Sequence, residues 1–81
     1  MSDTANKIYK QAVAITGDYL GPAAARFIDR QVSFHLGKKP EDLTKADVPI
    51  LAEWIKVSIT VLTEDRSMVN EFAKRIMRIA H

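Results

Sequence analysis

The chain has 81 residues, of which 47 % are hydrophobic and 27 % charged, with a net charge of +2 and no cysteine. This length predicts one domain over residues 1–81, and the high apolar content with low net charge excludes a disordered chain. The lack of cysteine excludes a disulfide scaffold and a thiolate metal site and fits a cytoplasmic protein, and no apolar stretch approaches the roughly 20 residues needed to span a membrane.

The first predicted helix covers about residues 4–16, where apolar residues recur at helical spacing. Gly17 is expected to take the left-handed conformation that ends it, because glycine adopts that conformation without steric cost. The side chains available to cap its start are those of Ser2, Asp3 and Thr4.

The second predicted helix covers 22–36. Pro22 suits its first turn, because the fixed φ of proline matches the helix and its missing N–H has no helical partner there. Gly37 is the expected stop signal, and 38–43 is predicted to be a loop with one short turn.

The third predicted helix begins near Thr44, with Asp47 either as the partner in a capping box or as the true cap. Pro49 predicts an irregular start. Apolar residues occur nearly all round this helix as far as Leu62. Alternating apolar and polar residues over 55–61 are also compatible with a strand, but helix is favoured because no other segment of the chain offers a strand partner.

The fourth predicted helix covers 64–80 and has the clearest amphipathic pattern of the sequence. Short connections favour neighbouring helices packed side by side. The predicted fold is therefore all-α, a compact four-helix domain with a central, very apolar third helix.

Catalysis and metal binding have little support in the sequence, and we expect neither an enzyme nor a cofactor. Ser33 and His35 are the only Ser and His close in sequence, but two residues apart on a helix they project to different sides. The acidic residues of the second connection lack the spacing and central glycine of a calcium loop; they are Glu41, Asp42 and Asp47.

Nucleic-acid binding is the main alternative function. Basic residues are concentrated in 26–39 and in 68–81, and a basic face can contact phosphates without reading sequence. Against this, the overall charge is small, and the connection after the second helix is too long for a helix-turn-helix.

The stretch Asp18-Tyr19-Leu20-Gly21-Pro22-Ala23-Ala24 resembles a motif in small helical domains attached to bacterial signalling proteins and kinases. In that motif an aromatic residue, an aliphatic residue, Gly-Pro and a small pair open a helix with basic residues further along, here Arg26 and Arg30. The resemblance implies a regulatory or interaction module and brings no catalytic residues.

The excess of apolar surface on the third helix is the most informative feature. Either this helix is wrapped by the other three, or part of it is covered by a second subunit. We predict a non-catalytic interaction or regulatory module that forms a homodimer or binds a protein partner. The predicted core or interface residues are Trp54, Ile55, Val57, Val61, Phe72, Ile76 and Met77, and the predicted basic rim is Arg26, Arg30, Lys74, Arg75 and Arg78.

Overall fold

The computed structural model of the chain describes the backbone of residues 3–80 and the side chains of residues 7–80. Over that part it is 89 % helical and contains no strand, so the all-α prediction is confirmed and the strand interpretation of 55–61 is wrong. The α-helices are α1 (Asp3–Leu20), α2 (Ala24–Gln31), α3 (Val48–Leu62) and α4 (Arg66–Met77). The predicted capping by the side chains of Ser2, Asp3 and Thr4 lies outside the described residues.

Helix α1 ends four residues later than predicted. Gly17 lies inside the helix, and Gly21 takes the left-handed backbone, with a φ of 60°. The reason is local, because Pro22 follows at once and cannot donate a hydrogen bond to a continuing α1. Gly21–Ala23 form one 3-10 turn that reverses the chain into α2.

Helical backbone continues without a loop through this turn, so the described chain has three long helical stretches, 3–36, 45–62 and 66–80. The prediction of a domain of four separate helices is wrong in this respect. A hydrogen bond of 2.7 Å from the Tyr9 hydroxyl to Asp29 ties α1 to α2. Burial, followed by the hydrogen bond and the negative charge of Asp29, raises the pKa of Tyr9 to about 12.

The end of α2 widens into a π turn over Val32–Leu36, and Gly37 ends the helix with a φ of 63°, as predicted. The connection to α3 then contains two 3-10 turns, Pro40–Asp42 and Lys45–Asp47. The first of these is the predicted short turn. Leu43, between them, is 1 % exposed and belongs to the core.

Asp47 holds the start of α3. Its carboxylate accepts hydrogen bonds from the backbone N–H of Thr44 at 2.9 Å and from the Lys38 ammonium at 2.7 Å. The predicted pairing of Thr44 with Asp47 is therefore confirmed. Pro49 follows in the first turn of α3, where its missing N–H costs nothing.

Helices α3 and α4 form a hairpin, and α4 also packs against α1. The Asp65 side chain caps α4 by accepting from the N–H of Met68 at 3.0 Å. Thirteen buried apolar residues form one cluster drawn from α1, α2 and the π turn that follows it, α3, α4 and the connection before α3. Helix α3 is at the surface rather than at the centre, because its neighbours cover only one of its sides.

Candidate interaction surface

Helix α3 carries two rows of apolar side chains on different sides. The inward row is buried and consists of Val48, Leu51, Ala52, Ile55 and Ile59. The second row, here called the outer row, consists of Ile50, Trp54, Val57 and Val61. The exposed fractions of these side chains are, in the same order, 49, 38, 54 and 82 %. A helix that needed only to fold would carry polar residues in this second row.

The residues of the outer row are separated by steps of four, three and four. At 100° per residue this spacing places all four side chains within a narrow sector of the helix, and it is the spacing of the contact row in helices that pack side by side. The outer row is thus a continuous apolar ridge along α3.

Phe34, in the π turn that follows α2, extends the apolar surface and is 76 % exposed. Its neighbour His35 lies flat on the Trp54 ring, with ring centroids 3.9 Å apart and planes 7° from parallel. Stacked aromatic pairs contribute about 0.5–1.5 kcal/mol beyond the burial of their area. This contact places the Phe34 segment beside the middle of the outer row.

A second contact fixes the direction of this segment relative to α3. The Ser58 hydroxyl donates to the side-chain oxygen of Gln31 at 3.1 Å. Gln31 therefore lies beside Ser58 and His35 beside Trp54, so the end of α2 runs antiparallel to α3. Measured along the axis of α3, Phe34 therefore lies between those two contacts, close to the midpoint of the outer row.

Six of the seven residues predicted for core or interface separate into two groups of three, and Met77 belongs to neither. Ile55, Phe72 and Ile76 are fully buried. Trp54, Val57 and Val61 lie in the outer row. Met77 is 38 % exposed and lines a shallow groove between α3 and α4 together with Glu53 and Lys56.

Three exposed apolar residues, Ile50, Phe34 and Leu62, were not among the predicted site residues. The signal for Ile50 was present, because it precedes Trp54 by one helical turn and Val57 by two. Phe34 gave no comparable signal, since its position beside α3 depends on the π turn and on the His35–Trp54 contact.

The predicted basic rim is only partly brought together. Lys74, Arg75 and Arg78 line one groove along α4, whereas Arg26 and Arg30 are exposed on α2. Arg75 is engaged within the fold: it pairs with Asp18 at 2.7 Å and donates to the Tyr19 hydroxyl at 3.3 Å. These two hydrogen bonds, first the one to Tyr19 and then the one to Asp18, raise the pKa of the Arg75 guanidinium above its usual value.

Tyr19 also joins the end of α1 to α4. Its ring stacks on Phe72 with centroids 4.6 Å apart, and its hydroxyl donates to Glu71 at 2.6 Å. Burial is the largest cause that raises the pKa of Tyr19, followed by the hydrogen bond to Glu71. The acidic and basic groups around this ring hold helices together, and of the three basic residues that line the α4 groove, Lys74 and Arg78 are outside these pairs.

Two of the polar groups considered for chemistry, His35 and Asp47, have structural partners. His35 is stacked on Trp54, and Asp47 accepts from Lys38 and Thr44. Within residues 3–80 no group of three or more His, Cys, Asp or Glu side chains is placed to hold a metal ion. His81 lies outside the described residues.

None of the described helices combines the length and the apolar character needed to cross a membrane. Comparison of the chain with protein-family models, with curated proteins and with solved structures finds no match.

Proposed function

We propose that this chain is a protein-interaction module that associates with a second copy of itself through the outer row of α3. The observation that carries the proposal is the four-residue apolar ridge of Ile50, Trp54, Val57 and Val61, exposed beside Phe34. The row lies outside the core cluster of the single chain, and the contact of its exposed parts with water costs free energy that association would recover.

The size of the surface fits a small dimer interface. With roughly 200 Å² for a large aromatic side chain, the row and Phe34 together expose on the order of 500 Å² of apolar area. The largest apolar patch on a monomer is typically about 300–600 Å² and is often functional. The polar residues beside the row bring the area toward the roughly 800 Å² that each partner contributes to a standard interface.

A second copy is the favoured occupant because the ridge is complementary to itself. A row with coiled-coil spacing offers knobs and holes at the same interval, so an identical row fits it without change. The row contains no charged residue. A polyanion such as a nucleic acid would therefore find no charge to pair with there and would leave the row exposed to water. The resemblance of the Asp18–Ala24 stretch to domains of bacterial signalling proteins supports a regulatory setting for this association.

Sedimentation over a range of protein concentrations tests the proposal. Wild type is expected to pass from monomer to dimer, and Val57→Lys is expected to weaken the dimer about 100-fold, or roughly 3 kcal/mol, because it places an unpaired ammonium in an apolar contact. Since Val57 is 54 % exposed in the single chain, this variant should keep its helical circular dichroism.

The matched control is Ala14→Lys, which adds the same charge at an exposed position of α1 and should dimerise like wild type. A wild-type chain that stays monomeric at high concentration would refute self-association. Binding of the monomer to non-specific DNA with a steep loss of affinity in salt would instead favour the nucleic-acid alternative.

A further inference from the structure

We propose that the two copies pair with their α3 helices antiparallel, about a two-fold axis that passes between Trp54 and Val57. The proposal rests on the self-association proposed above and specifies its geometry. Three independent features of the surface favour antiparallel over parallel pairing: side-chain size, charge and the position of Phe34.

The first feature is the order of large and small side chains in the outer row. In parallel pairing each residue faces its own copy, so two Trp54 indoles would meet in one layer while Val57 met Val57. In antiparallel pairing Trp54 lies opposite Val57 of the second copy, and Ile50 opposite Val61. Each layer then combines a larger with a smaller side chain, which is how facing positions fill space evenly.

The second feature is the charge beside the row. Glu53 and Lys56 are both exposed on the side of α3 that borders α4. An antiparallel two-fold axis brings this side of one helix against the same side of the other. Glu53 then comes within about 3 Å, measured along the axis, of the level of Lys56 in the second copy, so two symmetric ion pairs can flank the interface.

The third feature is Phe34, on the opposite side of the row. Its level along α3 lies between the contacts His35–Trp54 and Gln31–Ser58, near the proposed axis. Antiparallel pairing places the Phe34 side of one copy against the Phe34 side of the other, so the two exposed Phe34 rings cover each other. Parallel pairing would place Phe34 against the side that carries Glu53 and Lys56.

Disulfide trapping separates the two orientations, and the chain suits this experiment because it has no cysteine of its own. Ile50→Cys and Val61→Cys each introduce one thiol at an exposed position, so both variants should fold. Antiparallel pairing predicts that each variant alone stays uncrosslinked on mild oxidation, because equivalent thiols lie about 16 Å apart along the helices. An equimolar mixture is expected to give the mixed disulfide, because position 50 then faces position 61.

The control is Ala14→Cys, mixed with each variant, to measure crosslinking by random collision. Self-crosslinking of Ile50→Cys and of Val61→Cys above this control would overturn the antiparallel orientation in favour of a parallel pair. No crosslink in the mixture, from a protein that sediments as a dimer, would overturn the use of this row. A protein that sediments as a monomer would refute the proposed function itself, and with it this geometry.

Discussion

The imidazole ring of His35 covers one face of the Trp54 indole, 3.9 Å from centroid to centroid. Trp54 is the only tryptophan of the chain, so one contact joins the end of α2 to the exposed side of α3 and also provides a spectroscopic probe at that place. The indole is 38 % exposed in the single chain, which leaves its environment sensitive to whatever covers the outer row.

The fluorescence of Trp54 should follow association. At concentrations that favour the dimer we expect blue-shifted emission, because a second copy excludes water from the exposed part of the indole, and dilution should shift the emission to the red. Val57→Lys should emit at the red position throughout. Emission that does not change while sedimentation shows a monomer–dimer transition would contradict burial of Trp54 in the interface.

Tyr19 should stabilise the fold through both its hydroxyl and its ring. Tyr19→Phe removes the hydrogen bonds to Glu71 and from Arg75 and keeps the stack on Phe72, so the free energy of unfolding should fall by about 1 kcal/mol. Tyr19→Ala also removes the stack and should cost about 2–4 kcal/mol. Urea unfolding measures both values, and equal losses in the two variants would show that the ring contact contributes nothing.

The glycines of the first hairpin should respond to alanine with opposite signs. Neither Gly17 nor Gly21 has a neighbouring atom that an added methyl group would meet. Gly17→Ala, inside α1, should therefore raise the free energy of unfolding by about 0.5–1 kcal/mol. Gly21→Ala should lower it by about 1–2 kcal/mol, because its φ of 60° is unfavourable for a side chain.

Thermal unfolding of the two glycine variants beside wild type checks this prediction. Both substitutions add the same methyl group without a steric contact, so the difference between them measures backbone conformation alone. A gain in stability for Gly21→Ala would show that α1 does not end at this turn.

Asp47 should make part of the free energy of unfolding depend on pH in the acid range. Burial would raise the pKa of this carboxyl, but the hydrogen bonds from Lys38 and Thr44 and the Lys38 charge outweigh it and hold the pKa below its ordinary value of 3.8. A carboxyl with a depressed pKa in the folded state contributes its full stabilisation above the unfolded pKa. That stabilisation is lost as the pH falls below about 4 and through the folded pKa.

We expect Asp47→Asn to lower the free energy of unfolding by about 1–2 kcal/mol at neutral pH, with the difference from wild type shrinking as the pH falls below 4. Denaturant unfolding between neutral and acid pH measures it. The matched control is Asp42→Asn at an exposed acid of the same connection, which should change stability by less than about 0.5 kcal/mol. A constant difference at all pH values would show that the effect of Asp47→Asn does not come from titration of the carboxyl.

The helices could be predicted from the sequence wherever their signals are local. Gly37, the Thr44–Asp47 pair and the amphipathic pattern of α4 each depend on residues a few positions apart, and each was placed correctly. Gly17 was misassigned because a glycine ends a helix only where the backbone turns left-handed, and Pro22 makes Gly21 the better position for that turn.

The surface could be predicted less completely. The apolar excess on α3 was evident, but which side faces water depends on where α2 and α4 pack, and those contacts join residues far apart in the chain, such as Gln31 with Ser58. The burial of Leu43 has the same origin. Its segment looks like a polar loop, and only the packing of the connection shows that this side chain is needed in the core.

The two rows of α3 separate two properties that many small proteins must adjust together. Substitutions in the inward row, at Leu51, Ile55 and Ile59, alter whether the chain folds. Substitutions in the outer row, at Ile50, Val57 and Val61, alter what the folded chain binds. An evolving or redesigned version can therefore change its specificity by changes in the second set, at little cost to the integrity of the scaffold that displays it.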